Sequence, residues 1–188
     1  MRRLAALLSS LLLLISSAHA QNRPEPIRLC VSTLQNSSHS AVDTAWQRDQ
    51  LIKMFDRINK SKDVTRGKAA RIDTVLLETD TETDPAVRDQ NCQFILHTNV
   101  EEVIDAGSSD ASSQRPRSVE IGSARGPRIN APDHNRATVA YRIMRAGELE
   151  TWASDVVTAH DPLPDAMLIS HLMDQVANRV ADKLWGRH

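Results

Sequence analysis

The stretch RATVAYRIMRAGELETWASDVVTAHDPLPDAMLISHLMDQVANRVADKLW, residues 136–185, decides how the remainder of the chain is read. In its first part Val139, Tyr141 and Ile143 share one face while Ala140, Arg142 and Met144 share the other, the period of two that a half-covered strand shows. Ala146-Gly147-Glu148 reads as a tight turn, since Gly147 takes a positive φ without a Cβ clash. Trp152, Val156 and Val157 then carry strand composition through 149–160, so the two runs form a hairpin. Arg142 and Asp155 are expected to face outward, on a sheet whose second face is partly wet.

Pro162 and Pro164 end the second strand, and beyond them Ile169, Leu172, Met173, Val176, Val180 and Leu184 recur at i, i+3, i+4, i+7 spacing. This predicts an amphipathic helix over 166–184. Gly186 suits a left-handed cap after its last turn, Lys183 and Arg187 suit the negative end of its dipole, and Asp165 suits the positive end.

At the other end of the 188-residue sequence, Arg2 and Arg3 precede an apolar run over 4–15 that is short for a membrane span, and Ala18-His19-Ala20 has the small-x-small form of a cleavage site. Residues 1–20 therefore read as a signal peptide cut after Ala20, giving a secreted or periplasmic chain of 168 residues that begins at Gln21. Cys30 lies too far past that point to be a lipoprotein cysteine, so no stable membrane anchor is expected. Of the 23 basic residues, loss of Arg2 and Arg3 leaves 21 against 24 acidic ones, a balance that does not favour nucleic acid as a partner. Three Trp, one Tyr and two Phe make an aliphatic core the expectation and a base-stacking or sugar-stacking platform improbable.

Between these ends, 21–26 is a polar lead and 27–34 a strand with Ile27, Leu29 and Val31 opposite Arg28, Cys30 and Ser32. Asn36 to Ser40 is a turn cluster, and Ala45, Leu51, Ile52, Met54, Phe55 and Ile58 give a helical stripe over 41–60. The 61–71 stretch reads as a basic, irregular connection. A short strand over 72–78 is expected in the sheet interior, and Pro85 opens a short helix capped by Asp84 and ending near Asn91. A long strand over 92–104 follows, Phe94, Leu96, Thr98 and Val100 opposite Ile95, His97 and Asn99. Ser, Gly, Pro, Arg and Asp dominate 105–135, which reads as a flexible loop. Its Arg115, Arg117, Arg125 and Arg128 mark either a partner-binding surface or simply a solvated loop.

These elements compose one α/β (α+β) domain over 27–188, ordered β-α-β-(α)-β-β-β-α. They imply a single mixed sheet of about five strands with both long helices on one face.

Chemistry-bearing motifs are absent by pattern. Asp80 to Asp84 resembles the opening of a calcium loop, but Pro85 stands where that loop needs Gly and Asn91 where it needs Glu. In Gly122-Ser123-Ala124-Arg125-Gly126 the serine is one place early for a nucleophile elbow. Arg66-Gly67-Lys68 lacks the glycine spacing of a phosphate loop. His39, His97, His134, His160, His171 and His188 are spread singly, without i, i+4 pairing, and mid-strand His97 reads as a satisfied structural histidine. No catalytic residue, cofactor or metal ligand is expected.

The order of elements resembles the TolB amino-terminal-domain-like proteins. The residues that carry it are Leu34-Gln35-Asn36 at the end of the first strand, Asn91-Cys92-Gln93-Phe94-Ile95-Leu96 leading into the middle strand, and the hairpin followed by the 166–184 helix. Asn91 and Cys92 depart from the family's glycine and alanine before the middle strand. The resemblance implies a non-catalytic protein-interaction domain of the bacterial envelope acting on an envelope protein partner. The alternative is a small-ligand-binding or hydrolytic periplasmic domain.

Export to an oxidising compartment and the presence of only two cysteines, Cys30 and Cys92, lead to the expectation of a disulfide between them. The alternative is a pair of buried thiols acting as small apolar groups.

Overall fold

The computed structural model describes residues 23–78, 85–104 and 134–187. The expected signal peptide over 1–20, the 80–84 run, and almost all of the 105–135 segment, including Arg115, Arg117, Arg125 and Arg128, lie outside the described residues.

The order is β1 (Ile27–Val31), β2 (Gln35–Asn36), α1 (Thr44–Asn59), α2 (Lys62–Thr65), β3 (Ile72–Leu76), α3 (Pro85–Asp89), β4 (Phe94–Ile104), β5 (Asn135–Arg145), β6 (Thr151–Asp161) and α4 (Asp165–Leu184). The strands make one mixed sheet in the order β3-β1-β4-β5-β6, parallel from β3 to β4 and antiparallel from β4 to β6. The α+β class and the single mixed sheet are as the periodicity implied. The sixth strand is β2, a two-residue segment that pairs with β4 at Asn99 and Val100, beyond the point where β1 leaves it. The expected turn cluster begins with this short pairing.

Both long helices lie on one face and share one core with the sheet. On α1 the residues Gln47, Leu51, Met54 and Phe55 recur at i, i+4, i+7, i+8 and are buried. Its first turn is closed by the Asp43 side chain, which accepts from the Trp46 N–H at 2.9 Å. On α4 the buried stripe runs from Leu168 to Ala181 and faces Val139, Tyr141, Ile143 and Val157 of the hairpin. The helix stops where Gly186 adopts φ +68°, and Trp185 there donates through its indole N–H to the Ala70 carbonyl at 2.9 Å. At the hairpin turn Gly147 has φ +84°.

The opposite face carries a small second core of Cys30, Leu77, Val87, Cys92 and Ile95. The Cys30–Cys92 disulfide is formed, with Cα atoms 5.6 Å apart, and it ties the α3–β4 connection down onto β1. Cys92 precedes β4 rather than opening it. Asn91 takes a left-handed φ of +51° and the Cys92 N–H reaches back to the Val87 carbonyl, which turns the chain before the strand starts.

The 61–71 stretch, expected to be irregular, contains α2, and two further placements differ from the sequence reading. β3 is an edge strand, not an interior one: Ile72 packs in the core shared with the helices, Val75 packs against the second core on the opposite face, and Leu76 is exposed. The Asn59 side chain acts as a substitute neighbour there, donating to the Ile72 carbonyl at 2.7 Å and accepting from the Ile72 N–H at 2.9 Å. Asp155 does not face outward. It stands opposite Tyr141, on the helix side of the sheet, where β6 is an edge and Arg179 of α4 reaches it at 2.7 Å. Arg142 does face outward, as expected.

Candidate functional site

With both helices on one face and the second core over one corner of the other, the outer face of β4, β5 and β6 is left uncovered among the described residues. A trough of about 380 Å3 lies on it. Strand register builds the trough. His97 of β4 is level with Arg142 of β5, and Arg142 is level with Ser154 of β6; one step along, Gln35, Asn99, Ala140 and Val156 form the next row. The break between β1 and β2 contributes at one side. Residues 32–34 detach while the Ser32 N–H still bonds the Leu96 carbonyl at 3.0 Å, so Ser32 lies beside His97 and Gln35 beside Asn99.

Ser32 Oγ and His97 Nδ1 are 3.0 Å apart, and both residues are buried. The Ser32 hydroxyl also donates to the Thr33 carbonyl at 3.3 Å. His97 is thus a hydrogen-bonded strand histidine, as its position implied. With 1% exposure, Ser32 does not present its hydroxyl to a substrate in the way a nucleophile must.

Behind the trough, on the helix side, Tyr141 and Asp155 form a second polar feature. The Tyr141 hydroxyl is buried with no hydrogen-bond partner among the described residues. Burial and the Asp155 charge together push its pKa up to about 12, against a smaller opposing effect of Arg179. The Asp155 carboxylate is held below its usual range, first by the Val156 N–H at 2.8 Å and then by the Arg179 guanidinium. One carboxylate therefore caps an N–H of the edge strand and pins α4 to it.

At the turn end of the hairpin the bulge at Trp152 carries its ring to 5.0 Å from Phe94, with the Arg145 guanidinium 5.9 Å from the Trp152 ring. Trp152 and Val156 remain exposed along this edge. Among the described residues, no three His, Cys, Asp or Glu side chains are grouped in a way that would hold a metal ion, and no helix is long and apolar enough to cross a membrane.

Of the residues singled out from sequence, the structure brings Cys30 and Cys92 together and places His97 in the trough wall. None of Ser32, Gln35, Asn99 and Ser154 was read as a site residue. Each is an ordinary polar residue of a strand or turn, and only the register, across separations such as the 65 residues between Ser32 and His97, collects them. Arg142 carried a weak signal as the one charged residue in the middle of an otherwise uncharged strand stretch.

No protein-family model matches the chain, and no curated protein matches it. Among solved structures it is similar to the PelC dodecamer from Paraburkholderia phytofirmans, with a TM-score of 0.52 and 11% identity, covering 83% of this chain and 88% of that one. It is less similar to the hypothetical protein CT253 from Chlamydia trachomatis, with TM-score 0.48, 10% identity and coverages of 84% and 96%. For the lipoprotein GNA1162 from Neisseria meningitidis the values are 0.40, 11%, 84% and 99%. The likeness to PelC shows a shared fold and no more than that. Among the described residues the chain is thus an α+β domain with its long helices on one face, an outer sheet face left uncovered by them and an internal disulfide.

Proposed function

We propose that the chain is a non-catalytic protein-interaction domain of the bacterial envelope, secreted or periplasmic after cleavage at Ala20, and that its partner contacts the outer face and edge of β6. The observation that carries this is β6 itself: an 11-residue edge strand that ends the sheet, with Trp152 and Val156 exposed along it. Edges of this length are protected in proteins that stay alone and used in proteins that pair. On the other edge, β3, Asn59 bonds both the N–H and the carbonyl of Ile72, and among the described residues Asp155 bonds the Val156 N–H of β6. The disulfide supports an oxidising compartment. The TolB-like order of elements supports an envelope role, and the dodecameric state of PelC illustrates that this fold accommodates assembly surfaces.

The test is site-specific photocrosslinking in the periplasm of an expressing bacterium, with the probe at Val156 and, as a control, at Asp182 on the exposed side of α4. A defined envelope protein captured from position 156 and not from 182 is the expected result. Equal or absent capture at the two positions overturns the reading. The outer-face trough favours a second reading, a small-ligand-binding domain, because several polar groups converge in a concave site.

A further inference from the structure

We propose that β6 pairs antiparallel with β6 of a second copy of this chain, about a two-fold axis at Val156, so that the two sheets run on as one. The inference rests on the reading of β6 as the contact edge and names the partner that edge takes. In an antiparallel ladder alternate residues turn their N–H and C=O to the same side. The Val156 N–H bonds the Asp155 side chain at 2.8 Å rather than β5, so Ser154, Val156, Thr158 and His160 direct their backbone groups away from the sheet. β6 ends the sheet, and all four residues are exposed. An outward row of this kind is completed by a strand of the same geometry.

Register and charge select the axis. β6 runs over Thr151–Asp161, and only an axis at its midpoint, Val156, overlaps the whole strand with its copy. Val156 then meets Val156, Ser154 meets Thr158, and on the helix side Asp155 meets Val157 and Ala153 meets Ala159. The two Asp155 carboxylates lie diagonally, each with its own Arg179 at 2.7 Å. An axis at Asp155 would set these carboxylates directly opposite each other, and an axis at Thr158 would set Asp155 against Asp161. At the strand ends the charges are opposite in sign. Asp161 of one copy arrives beside Trp152 of the other, where the Arg145 guanidinium, whose exposed pair with Glu148 is 3.8 Å long, lies 5.9 Å from the Trp152 ring.

Asp155 sets how tight the pairing is. An incoming strand must take the Val156 N–H from the Asp155 carboxylate, which stays held through its other oxygen by Arg179. The exchange of one partner for another nets little, and it occurs in both copies, so the association is weak.

The experiment is sedimentation equilibrium of the oxidised chain and of β6 variants. A reversible dimer with a Kd of about 100 µM is expected for a single strand-to-strand edge. Asp155→Ala releases two N–H groups per dimer and should tighten it about tenfold. Val156→Lys sets two ammonium groups against each other across the axis and should weaken it about tenfold. Under oxidation Val156→Cys should give a disulfide-linked dimer on a non-reducing gel and Thr158→Cys should not, since residue 156 faces its own copy and residue 158 does not.

Wild type and Asp155→Ala that both stay monomeric about tenfold above that Kd overturn the second copy as the partner. Capture of a different envelope protein from position 156 then leaves β6 standing as the contact edge, and equal or absent capture at 156 and 182 overturns that reading as well. A dimer that Val156→Lys does not weaken overturns β6 as its interface. An unchanged Kd in Asp155→Ala overturns the role of that carboxylate, and equal cross-linking through cysteines at 156 and 158 overturns the axis.

Discussion

Reduction of the Cys30–Cys92 bond should remove about 4 kcal/mol of stability. The bond spans 62 residues, a loop that holds β2, α1, α2, β3 and α3. In the chain-entropy relation a loop of that length lowers the entropy of the unfolded ensemble by about 14 cal/mol/K, which is about 4 kcal/mol at 25 °C. Small domains have only about 5–15 kcal/mol to lose, so the reduced protein should sit near its margin. Both sulfurs are buried against Leu77, Val87 and Ile95, and as thiols they remain small apolar groups in the same place. Reduction therefore isolates the cross-link, whereas replacing both cysteines by alanine adds a packing loss. Urea unfolding of oxidised and thiol-reduced wild type at pH 7 measures the difference. The m-value should rise on reduction, because the released chain exposes more surface when unfolded. A stability loss below about 1 kcal/mol, or an unchanged m-value, would refute the reasoning that the bond acts on the unfolded chain.

Three further outcomes follow from single side chains. Tyr141→Phe should leave stability at pH 7 within about 1 kcal/mol of wild type, because the hydroxyl it removes has no partner among the described residues. The folded protein holds the Tyr141 proton up to about pH 12 while the unfolded chain releases it near 10, so this group's contribution is complete below about pH 10 and lost as pH rises towards 12. Wild type should weaken over that window and Tyr141→Phe should lack this component, as thermal melts across pH would register. Asn59→Ala strips the Ile72 N–H and carbonyl of their partner and should cost about 2–3 kcal/mol, with Asn59→Asp costing less because it keeps the acceptor. A loss under about 0.5 kcal/mol in urea unfolding would show that water replaces the clamp. Gly147→Ala meets no atom within 4 Å, so only its φ of +84° opposes the change, and a loss of about 1 kcal/mol is expected from the backbone alone. A neutral result in thermal melts would mean that the turn relaxes to negative φ.

What the sequence determined by itself was whatever depends on near neighbours along the chain. The hairpin, the α1 and α4 stripes and the left-handed Gly147 and Gly186 were legible because periods of 2 and 3.6 and the absence of a Cβ act within a few residues. The faces of β1 and β4 were legible for the same reason, including Cys30 opposite Leu29 and Val31. A Cys30–Cys92 bond could be expected because these are the chain's only cysteines, but its formation required β1 and the α3–β4 connection to meet.

Only the tertiary structure decided what lies beside what. β3 looks interior from its Val75-Leu76-Leu77 run, yet the sheet order puts it at the edge, where Val75 and Leu77 pack in the second core, Leu76 is exposed and the Asn59 side chain bonds Ile72. Asp155 looks like an outward residue because it is charged. The register with Tyr141 turns it towards the helices, and Arg179, 24 residues along the chain, makes that position tolerable. The trough is the extreme case: Gln35, His97, Arg142 and Ser154 come from four strands and Ser32 from the break between β1 and β2. No local period links them, since hydrogen bonding between strands is specified by packing of the opposite, apolar face. The polar row on the outside is set by the core residues on the inside.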